Sequence, residues 1–222
     1  MKKLFGLLLI LSCLLAGCDN YTSSAPVRYR KAFSQGSFSP DGQSYINEYL
    51  GLTYHLPYGY HFLSPEEVDT LVKQASTVTK SLYDFTSNQQ LAVPLFIVDH
   101  EEGAQNLAAF YLDTGSLSLD RQAYVTSLIR QLESAYTENF RLRSNTDETI
   151  QIGELQFVAV SFTVRYNYRY VYQRYYISVN SGWILIFSLT NGSGFDMMDE
   201  MVGVLKIEAV TPFNDLIQGN SD

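Results

Sequence analysis

The apolar positions of this 222-residue chain follow one rhythm after another, and each rhythm predicts an element. Residues 4–14 are an almost unbroken leucine-rich run. From Ser44 the pattern turns to short aromatic and β-branched runs: Tyr45-Ile46-Asn47-Glu48-Tyr49 and Leu52-Thr53-Tyr54-His55-Leu56, split by Gly51, predict a strand pair. Pro57-Tyr58-Gly59-Tyr60 closes the pair with a turn. Ser64-Pro65-Glu66-Glu67 is a helix start, with serine as N-cap, proline at the first helical position and a glutamate completing a capping box. Val68, Leu71, Val72, Ala75, Val78, Leu82 and Phe85 keep the helical spacing behind it. Residues 91–98, interrupted by Pro94, predict an edge strand or a bulge. Residues 106–112 follow as another strand. A second helix opens at Ser118, with Tyr124, Leu128, Leu132 and Ala135 on its apolar face.

From residue 140 the period is two. Strands are expected at 140–143, 149–152, 155–166, 169–179 and 183–189, with turns at Gly153-Glu154, Asn167-Tyr168 and Asn180-Ser181-Gly182. Residues 183–189 are apolar on both faces and belong in the centre of a sheet. Ser193 is expected to cap a last helix that turns Phe195, Met198, Val202 and Leu205 inward. Helices set between hairpins predict an α+β domain, a mostly antiparallel sheet flanked by helices.

The first run carries an address. Lys2 and Lys3 precede it, and Leu15-Ala16-Gly17-Cys18 ends it. The apolar stretch is well short of the roughly 20 residues a spanning helix needs, and the order of charged, apolar and small residues is that of a signal peptide. The last four residues resemble the lipobox of bacterial lipoproteins. That resemblance implies a diacylglyceryl group on Cys18, cleavage between Gly17 and Cys18, and in some members an acyl group on the new amino terminus. Two or more acyl chains, at about 0.8 kcal/mol per buried methylene, make a lasting anchor. The implied location is the outer face of the cytoplasmic membrane, the periplasmic side in a Gram-negative cell, where Asp19 would favour inner-membrane retention. The expected organisation is a signal peptide at 1–17, a lipidated tether at 18–43, one domain at 44–211 and a frayed tail at 212–222.

Composition narrows the chemistry. Apolar residues make up 46% and aromatic residues 14%, which argues for a packed domain over a disordered one. The formal charge is -8, and loss of Lys2 and Lys3 makes it more negative still. An acidic body disfavours nucleic acid as a partner. Cys13 leaves with the signal and lipid consumes Cys18, so the mature domain would have no thiol, no disulfide and no thiolate metal site. Arg28, Arg30 and Lys31 form a basic knot in the tether that could rest on anionic headgroups, at about 1 kcal/mol per charge near the surface, or simply be solvated.

The run from Tyr45 to Tyr60, with its Pro-x-Gly-aromatic turn, and the later strand series ending in Trp183 and a helix resemble PsbP-like domains. These are the α/β/α sandwiches named for PsbP and the Mog proteins. The resemblance implies that fold and no functional residue, because members bind unrelated partners.

Three candidate sites remain. Asp113-Thr114-Gly115-Ser116, after an apolar strand, matches the aspartic peptidase signature, but that chemistry needs two carboxylates sharing a proton. The chain has no second such motif, so Asp113 could act only in a homodimer. The three histidines, His55, His61 and His100, lack helical metal spacing, and Asp99, His100, Glu101 and Glu102 read as a solvated acidic turn better than as a cation loop. The most distinctive segment is 165–176, with six tyrosines and three arginines in twelve residues. Alternation sets Tyr170, Tyr172 and Tyr176 on one face with Arg174, and Tyr166 opposite Arg165. Such a face suits a protein or a glycan, and the same pattern is, before that, ordinary sheet chemistry. The expectation is a non-catalytic envelope module without metal or cofactor other than lipid. It would contact the membrane through its anchor and an envelope protein or cell-wall glycan through the hairpin. The alternatives are the Asp113 hydrolase and a solute- or glycan-binding lipoprotein; oligomeric state is left open.

Overall fold

The computed structural model describes residues 36–68, 70, 93–101, 105–113, 119–143, 149–166, 168–196, 198, 201 and 205–207, with backbone alone at Val93, Asp113, Ala135 and Tyr166. Among the described residues twelve strands, β1 to β12, run in chain order: Ser37–Phe38, Ser44–Asn47, Leu52–His55, Tyr60–Phe62, Val93–His100, Gln105–Asp113, Phe140–Leu142, Thr149–Ile152, Leu155–Tyr166, Arg169–Asn180, Trp183–Asn191 and Leu205–Ile207. The helix α1 spans Arg121–Tyr136, a helical turn opens at Pro65, and Met198 and Met201 are also helical.

The strands form two antiparallel sheets. The larger has the order β4-β5-β6-β11-β10-β9-β7, with β8 and β7 lying end to end along the same edge of β9. The smaller has the order β1-β2-β3-β12. Each face of the large sheet meets a different layer. On one, Phe110, Phe162, Tyr175, Ile177 and Ile186 pack under Val125, Leu128 and Leu132 of α1. On the other, Phe96, Leu107, Phe187 and Leu189 pack under Tyr45, Leu52, Tyr54, Leu205 and Ile207 of the small sheet. β11 is buried along its whole length because it has neighbours on both sides and layers on both faces. The expectation that 183–189 lies centrally therefore holds.

This corrects the α/β/α sandwich. The molecule is mostly antiparallel β-sheet, and a second sheet covers the face opposite α1, with the helical residues Met198 and Met201 in the same core. The reason is physical. In β2 and β3 the alternation buries Tyr45, Asn47, Leu52 and Tyr54 on one side, which serves a strand in a covering sheet as well as one in the main sheet. The final segment also differs: Leu205, expected inside a helix, begins β12 and pairs with Tyr54 of β3. Nor does the tether extend to residue 43. β1 already pairs with β2, and the Gly36 N–H donates to the Tyr45 hydroxyl at 3.0 Å.

Several local expectations hold. The capping box is formed, with Ser64 N–H to Glu67 Oε2 at 3.0 Å and Glu67 N–H to Ser64 Oγ at 3.3 Å. Leu63 and Val68, flanking it at the positions of a hydrophobic staple, both pack on the α1-side core. Pro94 sits at a β-bulge, where the register slips between Pro94 and Phe96. α1 is capped by Asp120, whose carboxylate accepts from Ala123 N–H at 2.7 Å; Ser118 lies outside the described residues. Gly153, in the β8–β9 turn, has φ +57°, and a Cβ there would fall 1.8 Å from the Ile207 carbonyl oxygen. The turn is thus the close seat of β12, with Glu154 N–H bonded to that same oxygen at 3.2 Å.

Candidate functional site

The tyrosine- and arginine-rich segment folds as the β9–β10 hairpin. The two-residue turn pairs Tyr166 with Arg169, Arg165 with Tyr170, and Thr163 with Tyr172. Tyr168 has φ +64°, the left-handed conformation that a tight hairpin turn requires. β11 pairs with β10 only from Tyr172 onward, and β7 pairs with β9 only as far as Val164. Arg165, Tyr166 and residues 168–170 therefore project beyond both neighbouring strands as a two-stranded arm.

Directly paired residues share a face, so Tyr170, Tyr172, Arg174 and Tyr176 lie on the small-sheet side, as the alternation predicted. They do not form one open surface. Tyr176 is 3% exposed, a member of the core under the small sheet. Arg174 is half-buried: Nε donates to Ser161 Oγ at 2.9 Å, Nη1 to the Tyr176 hydroxyl at 3.4 Å, and the guanidinium carbon stands 5.4 Å from the centre of the Phe195 ring. Phe195 also meets Tyr172 edge-on at 5.2 Å. A guanidinium held by two hydroxyls and a ring face is a fixed part of the wall. The open part is the arm. Tyr168 is 90% and Tyr170 51% exposed, and the Arg165 guanidinium lies 5.5 Å from the centre of the Tyr168 ring.

The opposite face of β10 is closed. Gln173, Tyr175 and Ile177 are fully buried against the α1 side. The Gln173 amide nitrogen and the hydroxyl of its cross-strand partner Thr190 are both buried without a hydrogen-bond partner. The Thr163 hydroxyl, on the arginine side, is a third such group.

The other sequence candidates disperse. Asp113 ends β6 opposite Trp183, and its side chain and residues 114–118 lie outside the described residues. His55 Nδ1 is 2.7 Å from Ser44 Oγ, His61 lies opposite Asp99, and the His100 ring meets Tyr60 edge-on. Among the described residues no group of three or more metal-ligating side chains converges. Gly17, Cys18, Arg28, Arg30 and Lys31 also fall outside the described residues. Sequence reasoning missed Arg165 and Tyr168 as parts of the site. Arg165 was within reach, because a turn at 167–168 already sets it opposite Tyr170.

No protein-family model matches the chain, and no curated protein matches it. Among solved structures, a protein of Bacteroides thetaiotaomicron VPI-5482 is similar, with a TM-score of 0.41 and 12% identity over 81% of this chain; the chain spans 57% of that protein's length. LpqN of Mycobacterium tuberculosis, described as involved in cell envelope biogenesis, is similar with a TM-score of 0.41 and 11% identity, over 72% of this chain and 83% of LpqN. Neither likeness assigns a residue or a role here.

Proposed function

We propose that this chain is a lipid-anchored module of the bacterial cell envelope that binds a partner and catalyses nothing. The observation that carries the reading is the order Lys2-Lys3, apolar 4–14, Leu15-Ala16-Gly17-Cys18. Diacylglyceryl on Cys18 holds the domain at the outer face of the cytoplasmic membrane, with Arg28, Arg30 and Lys31 close to the headgroups. The binding part is the arm at 165–170, the exposed section of the expected Tyr/Arg face, while Arg174 and Tyr176 support it from the wall. A rigid, amphipathic tyrosine pair on a short hairpin suits recognition, because few rotors are frozen on contact.

Growth with a labelled fatty acid tests the anchor. The wild type incorporates label and sediments with membranes, and Cys18→Ser does neither; an unlabelled wild type overturns the reading. Crosslinking in intact cells tests the binding role. Tyr168→Ser with Tyr170→Ser is expected to lose the crosslinked partners of the wild type, and an unchanged set dismisses the arm.

A further inference from the structure

The arm belongs to a larger basic face. Arg141 of β7 is paired with Thr163, which is paired in turn with Tyr172. Arg165 lies two residues along β9 from Thr163 and opposite Tyr170. The register therefore sets Arg141, Arg165, Tyr170 and Tyr172 on the small-sheet face of three adjacent strands. Arg143 extends the series: its N–H bonds the Ser161 carbonyl at 2.8 Å, and it sits two residues beyond Arg141. Arg141, Arg143 and Arg165 are all exposed.

None of these three arginines pairs with a described carboxylate. Arg141 donates Nη1 to the backbone oxygens of Glu138 and Phe140, at 3.1 and 2.8 Å, and Arg165 lies over the Tyr168 ring. In a chain of formal charge -8, three such cations share one face among the described residues. Interleaved with them are exposed tyrosine rings.

We infer that this face binds an acidic polysaccharide, the guanidinium groups taking sugar carboxylates and the rings of Tyr168 and Tyr170 stacking on pyranose faces. The inference rests on the envelope-binding reading above and names its partner class. Charge complementarity supplies the anion, since a planar guanidinium matches a carboxylate in a bidentate fork. The rings supply the sugar, since a phenol offers a flat apolar face with a polar tip. A bare anionic surface would use the arginines and leave both rings idle.

The test uses the full chain in detergent micelles, with polygalacturonate as probe and its fully methyl-esterified form and single-stranded DNA as comparisons. The wild type is expected to bind polygalacturonate, with an affinity that falls as salt is raised. It should bind the ester and the DNA at least tenfold more weakly. Arg141→Ser with Arg165→Ser should weaken binding tenfold or more, and Tyr168→Ser with Tyr170→Ser by several-fold, each with an unchanged melting temperature. Failure of the wild type to bind, equal binding of DNA, or binding indifferent to both double variants overturns the inference. Fatty-acid labelling of Cys18 and the crosslinking set are read separately. A chain that is labelled and crosslinks through the arm, yet ignores polygalacturonate, leaves the envelope reading standing and removes only this partner.

Discussion

The root and the tip of the β9–β10 hairpin use the same residue types for opposite ends. At the root, Tyr175 is fully buried, set edge-on to Phe162 at 5.1 Å, and Tyr176 is buried on the other face. At the tip, Tyr168 and Tyr170 stand in solvent. Nothing in the residues distinguishes them. The difference is that β11 covers β10 from Tyr172 onward, with α1 and the small sheet closing the two faces behind it. A tyrosine-rich segment is thus core where strands flank it and surface where they stop.

The largest expected effect breaks the root. Tyr175→Ala should cost about 3–5 kcal/mol, the range for removing a large buried ring, read as a fall in the urea midpoint. A loss under 1 kcal/mol would mean that the root is not the packed core described. Gln173→Met sharpens the same point in the other direction. It keeps the volume while removing a buried amide nitrogen that has no partner, and gives up only a long 3.5 Å bond from the Tyr175 hydroxyl to the amide oxygen, and so should stabilise by up to about 1 kcal/mol. A destabilised Gln173→Met would show that the amide is satisfied in solution.

The comparison also shows what could be read from the chain. The hairpin, its flanking turn signals, the bulge at Pro94 and the Ser64 capping box were legible because each depends on neighbours close in sequence, and the central place of β11 because its own run is apolar on both faces. The small sheet was not. β12 reaches β3 across some 150 residues, and a three-residue strand, Leu205–Ile207, has too little pattern to be told from a helix end. Half of the candidate site was lost for the same reason. Alternation put Tyr176 beside Arg174 correctly, yet a strand's own pattern cannot say that another sheet lies over Tyr176.

Buried tyrosines of the small sheet extend the contrast to pH. Burial pushes the Tyr54 phenol well above its ordinary value of 10.0, with Tyr60 adding to the effect, and burial raises Tyr45 against the opposing hydrogen bonds of Asn47 and Gly36. An unfolded chain ionises these phenols first. Their contribution is therefore intact below about pH 10 and is lost as pH climbs toward the raised folded values. Melting temperatures between pH 8 and 11.5 should fall at the alkaline end. Tyr54→Phe should flatten that fall and, by deleting a buried hydroxyl with no partner, raise stability at neutral pH by up to about 1 kcal/mol. A fall of the same size in Tyr54→Phe would assign it to other groups.

The smallest expected effect on stability lies at the tip and completes the contrast with Tyr175. Tyr168→Ser and Tyr170→Ser remove the same ring as the root substitution but uncover no core, so each should change stability by no more than about 0.5 kcal/mol. The Arg165–Tyr168 contact adds about 0.5 kcal/mol, the low end for such pairs, because an exposed cation–π pair competes with water on both partners. A double-mutant cycle of Arg165→Ser with Tyr168→Ser measures that coupling directly. Coupling above 1 kcal/mol would make the arm a structural brace. A small coupling with intact folding leaves the two side chains available for a ligand, which is the condition the basic face needs.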